Sequence, residues 1–197
     1  MTLALEIRDG VAELLLDHPP VNALDSAGWS KLADTLTSLG RGGEARAVVL
    51  GAKGRGFCAG VDIKELAADS SRITRVNRAC FDAFAAVHDC PVPVIAACHG
   101  FVLGGGIGLV GSCDIIVASH DASFGLPEID RGALGAASHL MRMFPIQKVR
   151  KMLFTGEPIP AAEAYRLGAI EALVDRDELL PRARSIAASI ASKSPRA

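Results

Sequence analysis

The chain has 197 residues, half of them hydrophobic, and its 21 basic and 22 acidic side chains leave a net charge of −1. That length predicts one domain with a substantial core. The near-neutral balance gives no electrostatic case for a nucleic acid or an anionic membrane as partner, and no apolar run is long enough to cross a bilayer. The five cysteines, Cys58, Cys80, Cys90, Cys98 and Cys113, show no C-x-x-C spacing. With no secretory signal at the start, they are expected to be reduced thiols of a cytoplasmic protein, and no metal site is expected.

Residues 3–7 and 11–16 are apolar runs around Asp9-Gly10, a hairpin signal. His18-Pro-Pro-Val-Asn22 reads as a loop, after which Asp25 or Ser26 caps a helix to about Leu39. Residues 47–51 (AVVLG) predict a buried strand, 51–60 a glycine-rich loop, and Asp62 the cap of a short helix. Ile73, Val76, Phe81, Phe84 and Val87 have helical spacing. Further strands are expected at 94–98, 114–119 and 122–124, and further helices at about 135–154, 161–167 and from 179 on. Strands alternating with helices argue for an α/β fold with a largely parallel sheet.

The stretch LGGGIGLVGSCD at 103–114 holds five glycines in twelve residues. Gly106, Gly108 and Gly111 satisfy G-x-G-x-x-G, but five residues separate Cys98 from Gly104, where a dinucleotide fingerprint needs its glycine turn directly after the strand. No Gly-Lys-Ser/Thr occurs, so a P-loop is excluded. Close packing against a neighbouring element accounts for Gly108 and Gly111. It accounts poorly for three consecutive glycines, each costing roughly 1 kcal/mol in helix propensity. The third reading is an anion site, with bare backbone N–H groups at a helix start, as in an oxyanion hole. A second glycine loop (54–60) and a carboxylate in Phe124-Gly-Leu-Pro-Glu128 supply the companions such a site needs.

HPPVNAL at 18–24, GRGFCAGVDIKEL at 54–66, PVIAACHGFVLGGGIGL at 93–109, CDIIVAS at 113–119 and ASFGLPEI at 122–129 together resemble the crotonase (enoyl-CoA hydratase/isomerase) superfamily. The resemblance implies a spiral of ββα units over 1–175. The C-terminal helical region would begin in 176–197 and is expected to be truncated here. It implies acyl-CoA as substrate, with no permanently bound cofactor. It also implies a homotrimer or dimer of trimers if the C-terminal helices are present. The thioester enolate would be held by the backbone N–H groups of Val61 and Gly105. Cys58, Ala59, Gly60, Asp62, Ile63, Lys64, Gly104 and Gly108 would border the CoA or the acyl group. Lys64 reads equally well as an ordinary exposed lysine.

Three departures shape the expected chemistry. Hydratases of the superfamily use two glutamates; one corresponds to Glu128, but the other position holds Gly108. The stretch after the glutamate loop, 131–139, is short and lacks the usual proline, so the acyl pocket wall should differ. His139 within it is a possible second catalytic group, and His99, where the family more often has Asn, is expected to position backbone. The family chain also usually continues past Pro195. With Glu128 alone, either enoyl-CoA isomerisation or a retro-Claisen C–C hydrolysis is available, with Tyr165, Asp130 or His139 as conceivable partners. The motifs and departures together resemble the actinobacterial crotonase-like hydrolase that opens a ring of a bicyclic CoA ester in sterol breakdown. A non-catalytic acyl-CoA-binding protein is the alternative.

Overall fold

The computed structural model describes residues 1–133 and 135–194. Leu134 of the 131–139 stretch and residues 195–197 of the expected C-terminal region lie outside the described residues. In chain order, β1 (Thr2–Arg8), β2 (Val11–Asp17) and β3 (Ala23–Leu24) precede α1 (Ser26–Gly42). Then come β4 (Ala47–Ala52), β5 (Gly60–Val61), α2 (Ile63–Ala68) and α3 (Ile73–His88). The middle of the chain forms β6 (Val94–Cys98), β7 (Phe101–Leu103), α4 (Gly105–Val110), β8 (Ile115–Ser119) and β9 (Ser123–Gly125). After a 3-10 turn at Pro127–Arg131 follow α5 (Ala137–Met143), α6 (Ile146–Thr155), β10 (Ile159–Pro160), α7 (Ala161–Arg166), β11 (Ala172–Val174) and α8 (Leu179–Ala191).

The β1–β2 hairpin pairs Arg8 with Val11 across Asp9-Gly10. Both turn residues have positive φ, 50° and 77°, the backbone a two-residue hairpin requires. From β2 the sheet continues in parallel through β4, β6, β8 and β11. Successive side chains of a strand point to opposite faces. Val48, Leu50, Ala96, Cys98, Ile116 and Ala118 therefore enter one apolar core, and Ala47, Val49, Ile95, Ala97 and Val117 another. Both faces are covered, which is why these strands read as unbroken apolar runs.

Helices α1 and α3 pack on each other over the first face. Helix α8 lies on the second through Leu179, Ala183 and Ala187, one residue per turn. Two small sheets complete the fold on the side of the glycine loops: β3 pairs with β5, and β9 lies between β7 and β10.

The structure departs from the sequence reading in three places. The single helix expected over 135–154 breaks at Phe144-Pro145: proline forces the residue before it out of the helical region, and Phe144 is extended at φ −130°, ψ 154°. On α3 the buried stripe is Val76, Ala79, Cys80, Ala83 and Val87. Phe81, five positions after Val76, falls off that stripe and is 62% exposed. Strands β3, β5, β7, β10 and β11, each of two or three residues, are additional to the expected ones and too short to show a period.

Beyond Leu179, the inward residues of helix α8 are Ala183, Ala187 and Ala191, which let it lie close to the sheet. Ala187→Leu is expected to overpack this contact and destabilise the protein by about 1–3 kcal/mol, read as a lower midpoint in denaturant unfolding.

Candidate active site

The loop after β4 is anchored by a motif from much earlier in the chain. Asn22, almost fully buried, donates through Nδ2 to the carbonyls of Lys53 and Gly56, both at 2.9 Å, and accepts from the His18 N–H at 2.7 Å. This is the structural use of His18-Pro-Pro-Val-Asn22. His99 Nε2 donates to the Gly54 carbonyl at 3.2 Å, and Arg176 donates to the same oxygen at 2.9 Å. Burial, with help from the Arg176 charge, pushes the His99 pKa down to about 4, so the imidazole is neutral at physiological pH. It positions backbone, as expected.

The second glycine loop is laced to the first. Cys58 forms a β-bridge with Val102, with the Leu103 N–H donating to the Cys58 carbonyl at 2.9 Å. The chain then turns at Gly104, whose φ 55°, ψ −118° is open in practice only to glycine, and enters α4. Each glycine of the triplet meets a different neighbour. A Cβ on Gly104 would lie 2.8 Å from Glu128 Oε1. One on Gly105 would lie 2.7 Å from Trp29 Cζ2, and one on Gly106 2.7 Å from the Cys58 carbonyl oxygen. Across the gap, Gly60 has φ 89°, and a Cβ there would sit 2.9 Å from the Gly105 nitrogen. Glycine at 60 thus keeps the Gly105 N–H open.

Glu128 is carried by the 3-10 turn that Pro127 starts. Its carboxylate lies between two glycines: a Cβ on Gly135 would be 3.2 Å from Oε1, close to the separation from Gly104. Oε2 is buried and has no hydrogen-bond partner among the described residues. Burial raises the Glu128 pKa above the ordinary carboxylate value, against a smaller lowering by its own backbone N–H. A half-buried carboxylate with a raised pKa and an idle oxygen, facing glycines, is suited to taking and returning a proton.

The space beside Gly108 is filled. The Phe84 ring lies directly on Gly108, whose Cβ would fall inside it, within 2.6 Å of Cε1. Phe84 is itself held edge-on by Trp29, with centroids 5.6 Å apart at 85°, and by His139, at 5.0 Å and 66°. Trp29, fully buried on α1, touches Gly105, and its Nε1 is the other buried side-chain nitrogen or oxygen without a partner among the described residues. Sequence reasoning missed Trp29. It is buried with Leu32, Ala33 and Leu36 on the inner face of α1, and nothing local to that helix links the face to the glycine triplet.

The other expected site residues are spread around this centre. Val61 ends β5 beside Gly60, and Asp62 caps α2 by accepting from the Lys64 N–H at 3.0 Å. Ile63 and Lys64 are exposed on a helix with no buried residue. Glu65 holds that helix to α1 by accepting from the Ser26 N–H and hydroxyl, both at 2.7 Å. Ala59 is half-buried. Cys58 is fully buried, its thiol pushed up to about 12 by desolvation, so it supports the loops from behind. His139 packs on Phe84, and its pKa is lowered by burial. Asp130 turns towards Gly156, and Tyr165 is half exposed on α7; neither Asp130, Tyr165 nor His139 bonds Glu128 Oε2. No group of three or more His, Cys, Asp or Glu among the described residues could hold a metal, and no described helix is long and apolar enough to cross a membrane.

The site as a whole is a parallel sheet presenting two interlocked glycine loops to one carboxylate. The sequence model described as enoyl-CoA hydratase/isomerase matches residues 6–197, and the chain belongs to that family. It is 50% identical over 190 residues to the (7aS)-7a-methyl-1,5-dioxo-2,3,5,6,7,7a-hexahydro-1H-indene-carboxyl-CoA hydrolase of Rhodococcus jostii, covering 95% of this chain and 74% of the relative. It is also 50% identical to the Mycobacterium tuberculosis protein of that name, covering 95% and 76%. The crystal structure of an enoyl-CoA hydratase from Mycobacterium smegmatis superposes with a TM-score of 0.93 at 32% identity, over 98% of this chain and 77% of that one.

The raised pKa of Glu128 links the site to stability. The folded state holds this proton more tightly than the unfolded chain does. The resulting stabilisation is fully present below the ordinary value of 4.5 and is lost as pH rises through the higher folded value. At neutral pH the charged, unpartnered carboxylate is a net cost. Glu128→Gln is therefore expected to raise Tm at pH 7–8 and to leave it nearly unchanged near pH 4, measured by differential scanning calorimetry.

Proposed function

We propose that the chain hydrolyses a C–C bond in a cyclic CoA ester, opening a ring by a retro-Claisen reaction. The observation that carries this is the pairing of one proton-transfer carboxylate, Glu128, with an aromatic ring where a hydratase would need its second. The names of the two relatives at 50% identity support it, and a bicyclic indene-type diketone CoA ester is the substrate class we infer from them.

In this reading the thioester oxygen sits between the backbone N–H groups of Val61 and Gly105. Glu128 takes a proton from water as its oxygen attacks the ring ketone carbon. The bond from that carbon to the adjacent carbanionic carbon then breaks. Its electron pair delocalises into the thioester enolate at the two N–H groups, and Glu128 returns the proton to carbon. One water is added, the ketone becomes a carboxylic acid, and no oxidant or reductant is consumed. Asp62, Ile63 and Lys64 border the CoA portion, with Gly60 and Gly104 keeping the backbone clear. The assembly we propose with this activity is a homotrimer, or a dimer of trimers, in the cytoplasm.

The test is product mass with three CoA esters: crotonyl, a 3-enoyl and a cyclic β-keto type. Gain of one water with ring opening is expected only for the cyclic ester. A shifted alkene at unchanged mass would mean an isomerase, ordinary turnover of crotonyl-CoA a hydratase, and binding without turnover an acyl-CoA-binding protein. Glu128→Gln is expected to lower kcat by about 10²–10⁴-fold. In the wild type kcat/KM should rise with pH as Glu128 ionises, with its midpoint above the ordinary carboxylate value.

A Cβ at Gly60 would crowd the Gly105 N–H. Gly60→Ala is expected to lower kcat by about 10²–10³-fold, the loss of one such donor, with a smaller change in KM.

A further inference from the structure

We propose that Phe84 is a specificity-determining residue: its ring, seated on Gly108 and held by Trp29 and His139, is a flat wall that selects ring-shaped acyl groups over linear ones. The proposal rests on the acyl-CoA reading above but does not need the hydrolytic step.

The ring and Gly108 form a matched pair. Three ring atoms of Phe84 occupy the space of any side chain at 108, so no residue but glycine fits while the ring stays where it is. Two edge-to-face contacts restrict its rotation. They come from α1 and α5, so the ring is clamped from two elements outside its own helix, α3. Phe84 is half-buried. The wall adjoins the proposed thioester position, because Trp29, which packs on Phe84, also touches Gly105. A fixed aromatic surface there has two consequences. It leaves no acid or base at 108 to activate a second water. It also presents a rigid plane against which a rigid ring packs without losing torsional freedom, whereas a linear chain must give up several rotors to lie along it.

The experiment is calorimetric titration of the wild type, Phe84→Leu and Gly108→Ala with cyclohexanecarbonyl-CoA and with heptanoyl-CoA. These esters have the same number of acyl carbons and no ketone to hydrolyse. Phe84→Leu keeps the bulk and removes the flat face. Gly108→Ala keeps the phenyl group and displaces it. The wild type is expected to bind the cyclic ester about tenfold more tightly than the linear one. Both variants should bring the ratio close to one, mainly by weakening the cyclic ester, and Gly108→Ala should have no further effect on the ratio in a Phe84→Leu background. Tm confirms that each variant is folded.

An unchanged ratio in either single variant would overturn the proposal, as would equal weakening of both esters or a wild type that does not prefer the cyclic one. Neither ester reacts, so failure of the hydrolase reading appears in the product masses and leaves this readout intact. A wild type that binds neither ester would overturn both.

Discussion

The contact on which the site depends is backbone against backbone. The loop after β4 and the loop after β7 touch at Cys58 and Gly60 on one side and at Leu103 through Gly106 on the other. No side chain fits in this seam. It holds the loops at a fixed separation through backbone hydrogen bonds, and the lack of a side chain at Gly60 leaves the Gly105 nitrogen uncrowded on that side. The glycines weaken local helix propensity by roughly 1 kcal/mol each. The sheet compensates by clamping both loop ends: β4, β6 and β8 lie side by side in parallel register, so the loops leaving β4 and β6 start from adjacent positions.

Around the seam the polar and apolar sides of the site divide cleanly. Glu128 is the ionisable group on one side, kept partly desolvated between Gly104 and Gly135. Trp29, Phe84 and His139 form the other, each ring meeting the next edge to face. Glu128 and Trp29, each with one buried polar atom unpartnered among the described residues, approach the same glycine turn through Glu128 Oε1 at Gly104 and Trp29 Cζ2 at Gly105. Native proteins rarely leave such atoms unpaired.

The hairpin and a helix cap at Asp25 or Ser26 were legible because each is set by local chemistry, and the alternation of strands and helices pointed to a largely parallel sheet. Asp9-Gly10 needs two positive φ values, and Asp25 reaches only to the Gly28 N–H. Glu128 and the triplet were joined in the sequence only through the resemblance to the crotonase family, and the structure brings Glu128 Oε1 beside Gly104. What was not legible depends on distant contacts. Ser26, the other candidate for the α1 cap, is taken by Glu65 from 39 positions away. Phe84 read as one more apolar residue on α3, and nothing within α3 says that its ring rests on Gly108.

Gly108 shows why the two kinds of reading need each other. In the sequence it is an absence, a carboxylate that hydration would require. By itself that absence fits a changed reaction and a lost one equally well. In the structure the position is occupied, by a ring from another helix that two further rings keep in place. A site that had merely lost its second acid would be expected to hold a gap or water there, because cavities and unpaired polar atoms are the usual residue of an uncompensated loss. A packed aromatic floor is instead the mark of a position rebuilt around glycine, and it favours a site whose chemistry was altered over one that was abandoned.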